Sequence, residues 1–287
     1  MDKIPQEIMF QILERVCVFG LKKVRLASRI FYPVATDLLF RRTYASIHRQ
    51  DLDVLSAMAS HPTIRLAVRK VIYVGVYFHY LEISVDRTYP RDEWEIDVGR
   101  QFYRACLREQ EEMRKSGKDL AIISAALATM PNVRKVKFTN HWGYHSYPPF
   151  ARSYNEFAAV PRGVPIRIGK GKYEYEPFDY GFKIMCEAIS ISSTQIEKFS
   201  THYCRNYPSR PGKVVAKDGI VPASFVCSSR ELEHCRNAFR HARKITLTID
   251  QSGPQDDSIL QSDQAARVLT AAIDLQELAF NGSTYVA

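Results

Sequence analysis

Val68-Arg69-Lys70-Val71-Ile72-Tyr73-Val74 is a short run dense in β-branched residues, and it follows a helix-like stretch (Asp51 to Ser60) and the breaker His61-Pro62. Branched side chains suit a pleated strand, and proline stops the helix before it. The apolar spacing Val68-x-x-Val71-x-Tyr73 then returns four times. It recurs as Val133-x-x-Val136-x-Phe138, Ile196-x-x-Phe199-x-Thr201, Ala242-x-x-Ile245-x-Leu247 and Leu275-x-x-Leu278-x-Phe280. A helical pattern precedes each copy: Lys118–Met130, Gly181–Ile191, Ser229–Phe239 and Gln264–Ile273. The copies start 65, 63, 46 and 33 residues apart. Helix and strand alternating with a fixed strand spacing predict an α/β solenoid that contributes one parallel strand per repeat. A generic α/β domain with similarly patterned strands is the alternative. The constant order of helix, short connection and strand favours the repeat.

Residues 1–50 read differently. Pro5 opens a helix, and Ile8, Ile12, Leu13 and Val16 recur at three- and four-residue spacing along it. Gly20 is expected to end that helix. Leu21, Val24 and Ala27 mark a second stripe, and Phe31, Val34, Ala35, Leu38 and Leu39 a third. Three short helices make a thin core, which predicts dependence on a partner or neighbouring domain.

Composition bounds the rest. The chain has 287 residues, 46% hydrophobic and 25% charged, the balance of a globular protein rather than a disordered one. The N-terminus carries no basic start with an unbroken apolar run, and the apolar runs are short, so an intracellular protein, cytoplasmic or nuclear, is expected without a membrane span. Six scattered cysteines with no C-x-x-C pair read as free thiols. The net charge is +9, with twelve Lys/Arg against six Asp/Glu in the first seventy residues. No nucleic-acid motif accompanies that charge, so a nucleic-acid partner is a minor alternative.

The chemistry-bearing patterns are thin. Gly163 to Gly171 has five residues between its first two glycines, and Gly171 stands where a phosphate loop needs Ser or Thr after Lys170. His202, Cys204, Cys227, Cys235 and His241 lack the paired spacing of zinc ligands. No nucleophile elbow or catalytic-cysteine signature is present. A non-enzyme with no catalytic residue, cofactor or metal is expected.

The segment Ile4-Pro5-x-Glu7-Ile8-x-x-x-Ile12-Leu13-x-x-Val16, with Leu21 and Arg25-Leu26-x-Ser28-Arg29-x-Phe31, resembles the F-box. Leu39-Phe40-Arg41-Arg42-x-Tyr44, Asp51-Leu52-Asp53-Val54-Leu55 and His61-Pro62 look like its continuation in fungal F-box proteins, as does Met130-Pro131-Asn132-Val133-Arg134 in the first clear repeat. The match covers about the first seventy residues; beyond them only the repeat order speaks for it. The chain departs from the pattern at Gly20, where Asp usually precedes Leu21, which would weaken the cap of the second helix. The resemblance implies a three-helix F-box-like module over 1–50, followed over 51–287 by an irregular leucine-rich-repeat-like solenoid with long strand-to-helix insertions. It implies a Skp-family adaptor bound by Ile4, Pro5, Ile8, Ile12, Leu13, Val16, Leu21 and Leu26, and through it a cullin scaffold. The chain would then be the substrate-recognition subunit of a ubiquitin ligase. A repeat scaffold without a degradative role is the main alternative.

The insertions are rich in aromatic residues. Tyr77, Trp94, Trp142, Tyr144, Tyr147 and Tyr173, with Arg152, Arg205 and Arg210, are expected to bind a substrate protein, because exposed aromatic and Arg residues are typical interface anchors. Parallel strands put all four long strand-to-helix segments (76–97, 140–180, 203–228 and 251–263) on one edge. The sequence stops directly after a repeat strand, so an incomplete repeat array is expected at that end.

Overall fold

The structure, a computed structural model, describes residues 4–75, 93–139, 176–201, 220, 222–250 and 263–283. Helix α1 spans Gln6–Leu13, α2 Val18–Ala27 and α3 Tyr32–Phe40. Proline introduces two of them: Pro5 stands just before α1, and Pro33 lies in the first turn of α3, where a missing N–H leaves nothing unpaired. The three helices close over their own small core of Met9, Leu13, Leu21, Val34 and Ala35.

Gly20 does not terminate a helix. The chain breaks between Leu13 and Val18, and Gly20 lies in the first turn of α2, whose capping position is Cys17. A Cβ at Gly20 would stand 2.4 Å from Cγ1 of Val16, so the glycine lets α2 fold back against the end of α1. Glycine at this position is therefore a matter of close approach rather than of capping.

Next come β1 (Arg42–Ala45), α4 (Arg49–Ser60), α5 (Ile64–Ala67) and β2 (Lys70–Val74). After them lie α6 (Glu93–Ser116), α7 (Lys118–Thr129), β3 (Lys135–Thr139), α8 (Glu176–Ser192) and β4 (Lys198–Thr201). A short 3-10 turn (Pro222–Phe225), α9 (Ser229–Phe239), β5 (Lys244–Asp250), α10 (Asp263–Leu269) and β6 (Glu277–Ser283) complete the described chain. The protein is thus α/β, with ten α-helices among the described residues and one six-stranded sheet.

The strand order is β1-β2-β3-β4-β5-β6, and every neighbouring pair is parallel. Each strand adds beside the one before it. Helices α4, α7, α8, α9 and α10 touch one another in the same sequence, forming a second layer in register with the sheet. The recurring apolar positions of the first four copies make the interface between the layers, whereas Leu278 and Phe280 of the last are exposed. Val68, Val71 and Tyr73, and likewise Val133, Val136 and Phe138, are sealed from solvent. Phe182 of α8 anchors the middle, with its ring centroid 5.9 Å from Phe199, 5.6 Å from Phe225 and 6.4 Å from Phe239. Helix α9 starts in a capping box: Glu231 N–H donates to the Ser228 hydroxyl, and Ser228 N–H donates to the Glu231 carboxylate.

Two elements exceed the apolar pattern. The sheet begins one strand earlier, at β1, where the register sets Thr43 opposite Val71 and Ala45 opposite Tyr73. Both side chains are buried but small or polar, so β1 lacks the large apolar spacing of the other strands. Helix α6 lies partly in the stretch expected to be a long connection, and Trp94 falls in its first turn. Among the described residues no helix is long and apolar enough to cross a membrane.

Candidate functional site

The N-terminal helices divide their apolar residues between two surfaces. Met9 and Leu13 of α1 and Leu21 of α2 turn inward, with Leu13 only 4% exposed, and Val16 packs against them half-buried. Ile4, Pro5, Ile8 and Ile12 turn outward. On α2 and just after it, Val18, Phe19, Leu26 and Ile30 are also exposed, Phe19 to 77% and Leu26 to 85%. Of the residues implied as adaptor contacts, then, Ile4, Pro5, Ile8, Ile12 and Leu26 lie on the surface, while Leu13 and Leu21 build the module. Phe19 and Ile30 are surface residues that the helical periodicity did not single out. Such a concentration of bare apolar side chains on about thirty residues is a candidate interaction surface.

Arginines tie this module to the sheet. Arg41 bonds the Asp37 carboxylate at 3.1 Å, reaches Glu14 at 3.4 Å and lies over the Phe10 ring at 4.3 Å from its centroid. Arg69, just before β2, meets the other oxygen of Asp37 at 3.3 Å. Arg25 bonds Thr36 at 3.1 Å and covers the rings of Tyr32 and Phe40. Its hydrogen bond to the Tyr32 hydroxyl and its charge hold that phenol below the usual range.

The second surface is the face of the sheet turned away from the helices, at the start of the strands. The pairing register runs Arg42 to Lys70, Lys70 to Lys135, Lys135 to Lys198, Lys198 to Lys244 and Lys244 to Glu277. Five cations in successive strands thus form one row, closed by a carboxylate. At the usual strand spacing the row is about 19 Å long. The residues just before them, Arg41, Arg69, Arg134, Glu197 and Arg243, form a parallel ladder of backbone hydrogen bonds. Carboxylates answer the first three members of that outer ladder: Asp37 and Glu14 serve Arg41, Asp37 serves Arg69, and Glu197 serves Arg134 at 3.7 Å. In the inner row Lys244 pairs with Glu277 at 2.5 Å, whereas Arg42, Lys70, Lys135 and Lys198 make no ion pair among the described residues. Partial burial, then the charges of Lys137, Arg42 and Lys135, lower the Lys70 ammonium below its ordinary range. Reading the repeats only for apolar spacing missed this row. Its signal stood in the two positions between the apolar residues, where Arg-Lys recurs after Val68, Val133 and Ala242.

Of the aromatic residues expected to bind substrate, Tyr77, Trp142, Tyr144, Tyr147 and Tyr173 lie outside the described residues, as do Arg152, Arg205 and Arg210; Trp94 is described only as a backbone position in α6. Their points of departure are described. Val74, Thr139, Thr201 and Asp250 end strands that all run the same way, so the chain leaves them at one edge of the sheet.

Among the described residues no group of three or more His, Cys, Asp or Glu is arranged to hold a metal ion. Cys186, Cys227 and Cys235 meet between α8 and α9, and hydrogen bonding among the thiols together with burial pushes Cys227 and Cys235 well above the ordinary thiol range. Such thiols pack as small apolar groups. His241 faces Asp274 at 3.8 Å on the surface. The buried Asp119 accepts a 2.7 Å hydrogen bond from the Tyr180 hydroxyl, and burial raises both groups. That pair joins α7 to α8 beneath the Arg114 guanidinium, 5.1 Å from the Tyr180 ring, as a buried structural tie.

No protein-family model matches the chain, and no curated protein matches it.

Proposed function

We propose that this chain is a substrate-recognition subunit of a cullin-based ubiquitin ligase. In this reading the N-terminal helices are an F-box that docks a Skp-family adaptor, and the helix-and-strand layers are a leucine-rich-repeat-like solenoid that holds a substrate protein. The single observation that carries it is the split of α1 into an inner face, Met9 and Leu13, and a bare outer face, Ile8 and Ile12, continued by Ile4 before the helix and by Phe19, Leu26 and Ile30 after it. An isolated helical module has no use for a second apolar face; a module that lays it against a partner does. The motif around Pro5, Glu7 and Ile8 names the partner class. Sequential parallel strands with long connections leaving one edge support a recognition array.

Burying side chains of this kind contributes about 1.5–3 kcal/mol each. The test is co-purification with a Skp-family adaptor of the parent and of Ile8→Asp with Ile12→Asp. Both positions are exposed, so the double variant should melt like the parent yet lose capture of the adaptor. Leu13→Asp is the contrasting control, because it should unfold the module itself. Full capture by a folded double variant refutes the assignment.

A further inference from the structure

The inner row of cations lies on a different part of the sheet from the long insertions, at the start of the strands rather than their ends. We propose that Arg42, Lys70, Lys135 and Lys198 form a binding track for an acidic segment of a partner protein, laid across the strands. The proposal rests on reading the sheet as the recognition part of the chain, and it names the chemistry of what is recognised.

Three observations carry it. First, the row is held by the strand register, so its spacing is set by backbone pairing rather than by flexible side chains. Second, the fold supplies carboxylates to Arg41, Arg69 and Arg134 next door but none, among the described residues, to the four cations of the track. Like charges on neighbouring strands destabilise a sheet. Burial first, and then the charges of Lys137, Arg42 and Lys135, lower the Lys70 ammonium at the centre of this crowding. An external anion relieves it. Third, Lys244 is already neutralised by Glu277, so the track ends there. The four free members span about 14 Å at ordinary strand spacing, which an extended peptide of roughly five residues covers with acidic side chains on one face.

The second row of the same face decides between polyanions. It consists of Tyr44, Lys137, Ser200 and Thr246, half-buried, with Ile72 already covered. A single-stranded nucleic acid binds through successive aromatic platforms, and this row has one aromatic ring. Hydroxyls suit a peptide carrying carboxylate or phosphate groups.

The experiment uses the full chain and a short fluorescein-labelled peptide of alternating Glu and Ser, its Gln-Ser counterpart, and a labelled oligothymidylate. Fluorescence anisotropy is read on the parent, on Lys70→Gln with Lys135→Gln and Lys198→Gln, and on a control with equal charge loss on α6 (Arg104→Gln, Arg108→Gln, Lys115→Gln). Expected are saturable binding of the Glu-Ser peptide, weakened about tenfold or more in the track variant, changed less than about twofold in the control, and steeply reduced by salt. The track variant should melt no lower than the parent, since it loses only repulsion. Absence of saturable binding, equal losses in both variants, or tighter binding of oligothymidylate than of peptide each overturns the proposal. Adaptor capture by the track variant is measured in parallel. Its retention alongside a failed peptide titration removes the track alone, while its absence in the parent removes the adaptor reading alone.

Discussion

Replacing Gly181 by alanine should destabilise the protein, although alanine is the better helix former. Gly181 lies inside α8, where the change alone would contribute about 0.5–1 kcal/mol of stability. A Cβ there, however, would stand 2.5 Å from Cε1 of Tyr73 and 2.9 Å from Cε2 of Phe138. Carbon atoms prefer about 3.5–4.0 Å, so at least one ring must retreat by about 1 Å. Neither has room. The two rings are fully buried, stacked 5.8 Å apart at 8°, and mounted on neighbouring strands held by the register. Overpacking of this kind costs about 1–3 kcal/mol, so after a helical gain of about 0.5–1 kcal/mol the net loss is about 1 kcal/mol at the midpoints and up to about 2.5 kcal/mol. Urea unfolding should show a lower midpoint at unchanged slope. Phe138→Leu in the same chain should recover part of the Gly181→Ala loss, because it removes one of the two rings met. A Gly181→Ala variant as stable as the parent would refute the account of how α8 seats on the sheet.

Two further outcomes follow from buried groups. Burial raises the Asp119 carboxyl above its ordinary value, so the folded protein holds that proton where the unfolded chain has released it, and the associated stability falls as pH rises from the ordinary Asp range through the raised value. Asp119→Asn keeps an oxygen to accept from Tyr180 and removes the titration; its stability advantage over the parent should be largest near neutral pH and shrink on acidification, and an advantage that grows on acidification contradicts this. In a Cys204→Ser background, native labelling with a thiol reagent near neutral pH should modify one cysteine quickly, the exposed Cys17, while Cys106, Cys186, Cys227 and Cys235 wait for unfolding. Burial raises the Cys106 thiol to about 11 and hydrogen bonding among thiols raises Cys227 and Cys235 further, so a second fast thiol would show that the layer between α8 and α9 opens readily.

The sheet was legible where the buried positions are large and apolar. Val133, Val136 and Phe138 announce β3 because pleating drives alternate side chains into one core and the chain fills them with branched and aromatic groups. Strand β1 performs the same task with Thr43 and Ala45, and no pattern search for large apolar residues finds it. Helix α6 hid for a related reason: its buried residues Cys106, Leu107, Gln110 and Met113 include an amide, and the surrounding residues are mostly charged. At the candidate surfaces the periodicity of α1 located the apolar residues but not their sides. Leu13 and Ile12 are adjacent in sequence and equally apolar, and only the seat of α3 decides that Leu13 is inside. The cation row was written in the sequence at the positions an apolar search discards. Its meaning depends on strand register and on which arginines find Asp37 or Glu197, and neither is local in the chain.

The sequential order of the strands has a mechanical consequence. A sheet in which each strand pairs only with its chain neighbours, backed by helices touching in the same order, has among the described residues no element that clamps its two ends together. Pulled by its termini, such a protein should yield in steps, one strand-and-helix layer at a time, rather than in a single rupture. The layers are unequal. The middle holds the Phe182, Phe199, Phe225 and Phe239 rings, while β6 exposes Leu278 and Phe280 on the side where β5 buries Ile245 and Leu247. Tension applied through a partner bound at the N-terminal helices would therefore spend itself on the flanks first and reach the aromatic centre last.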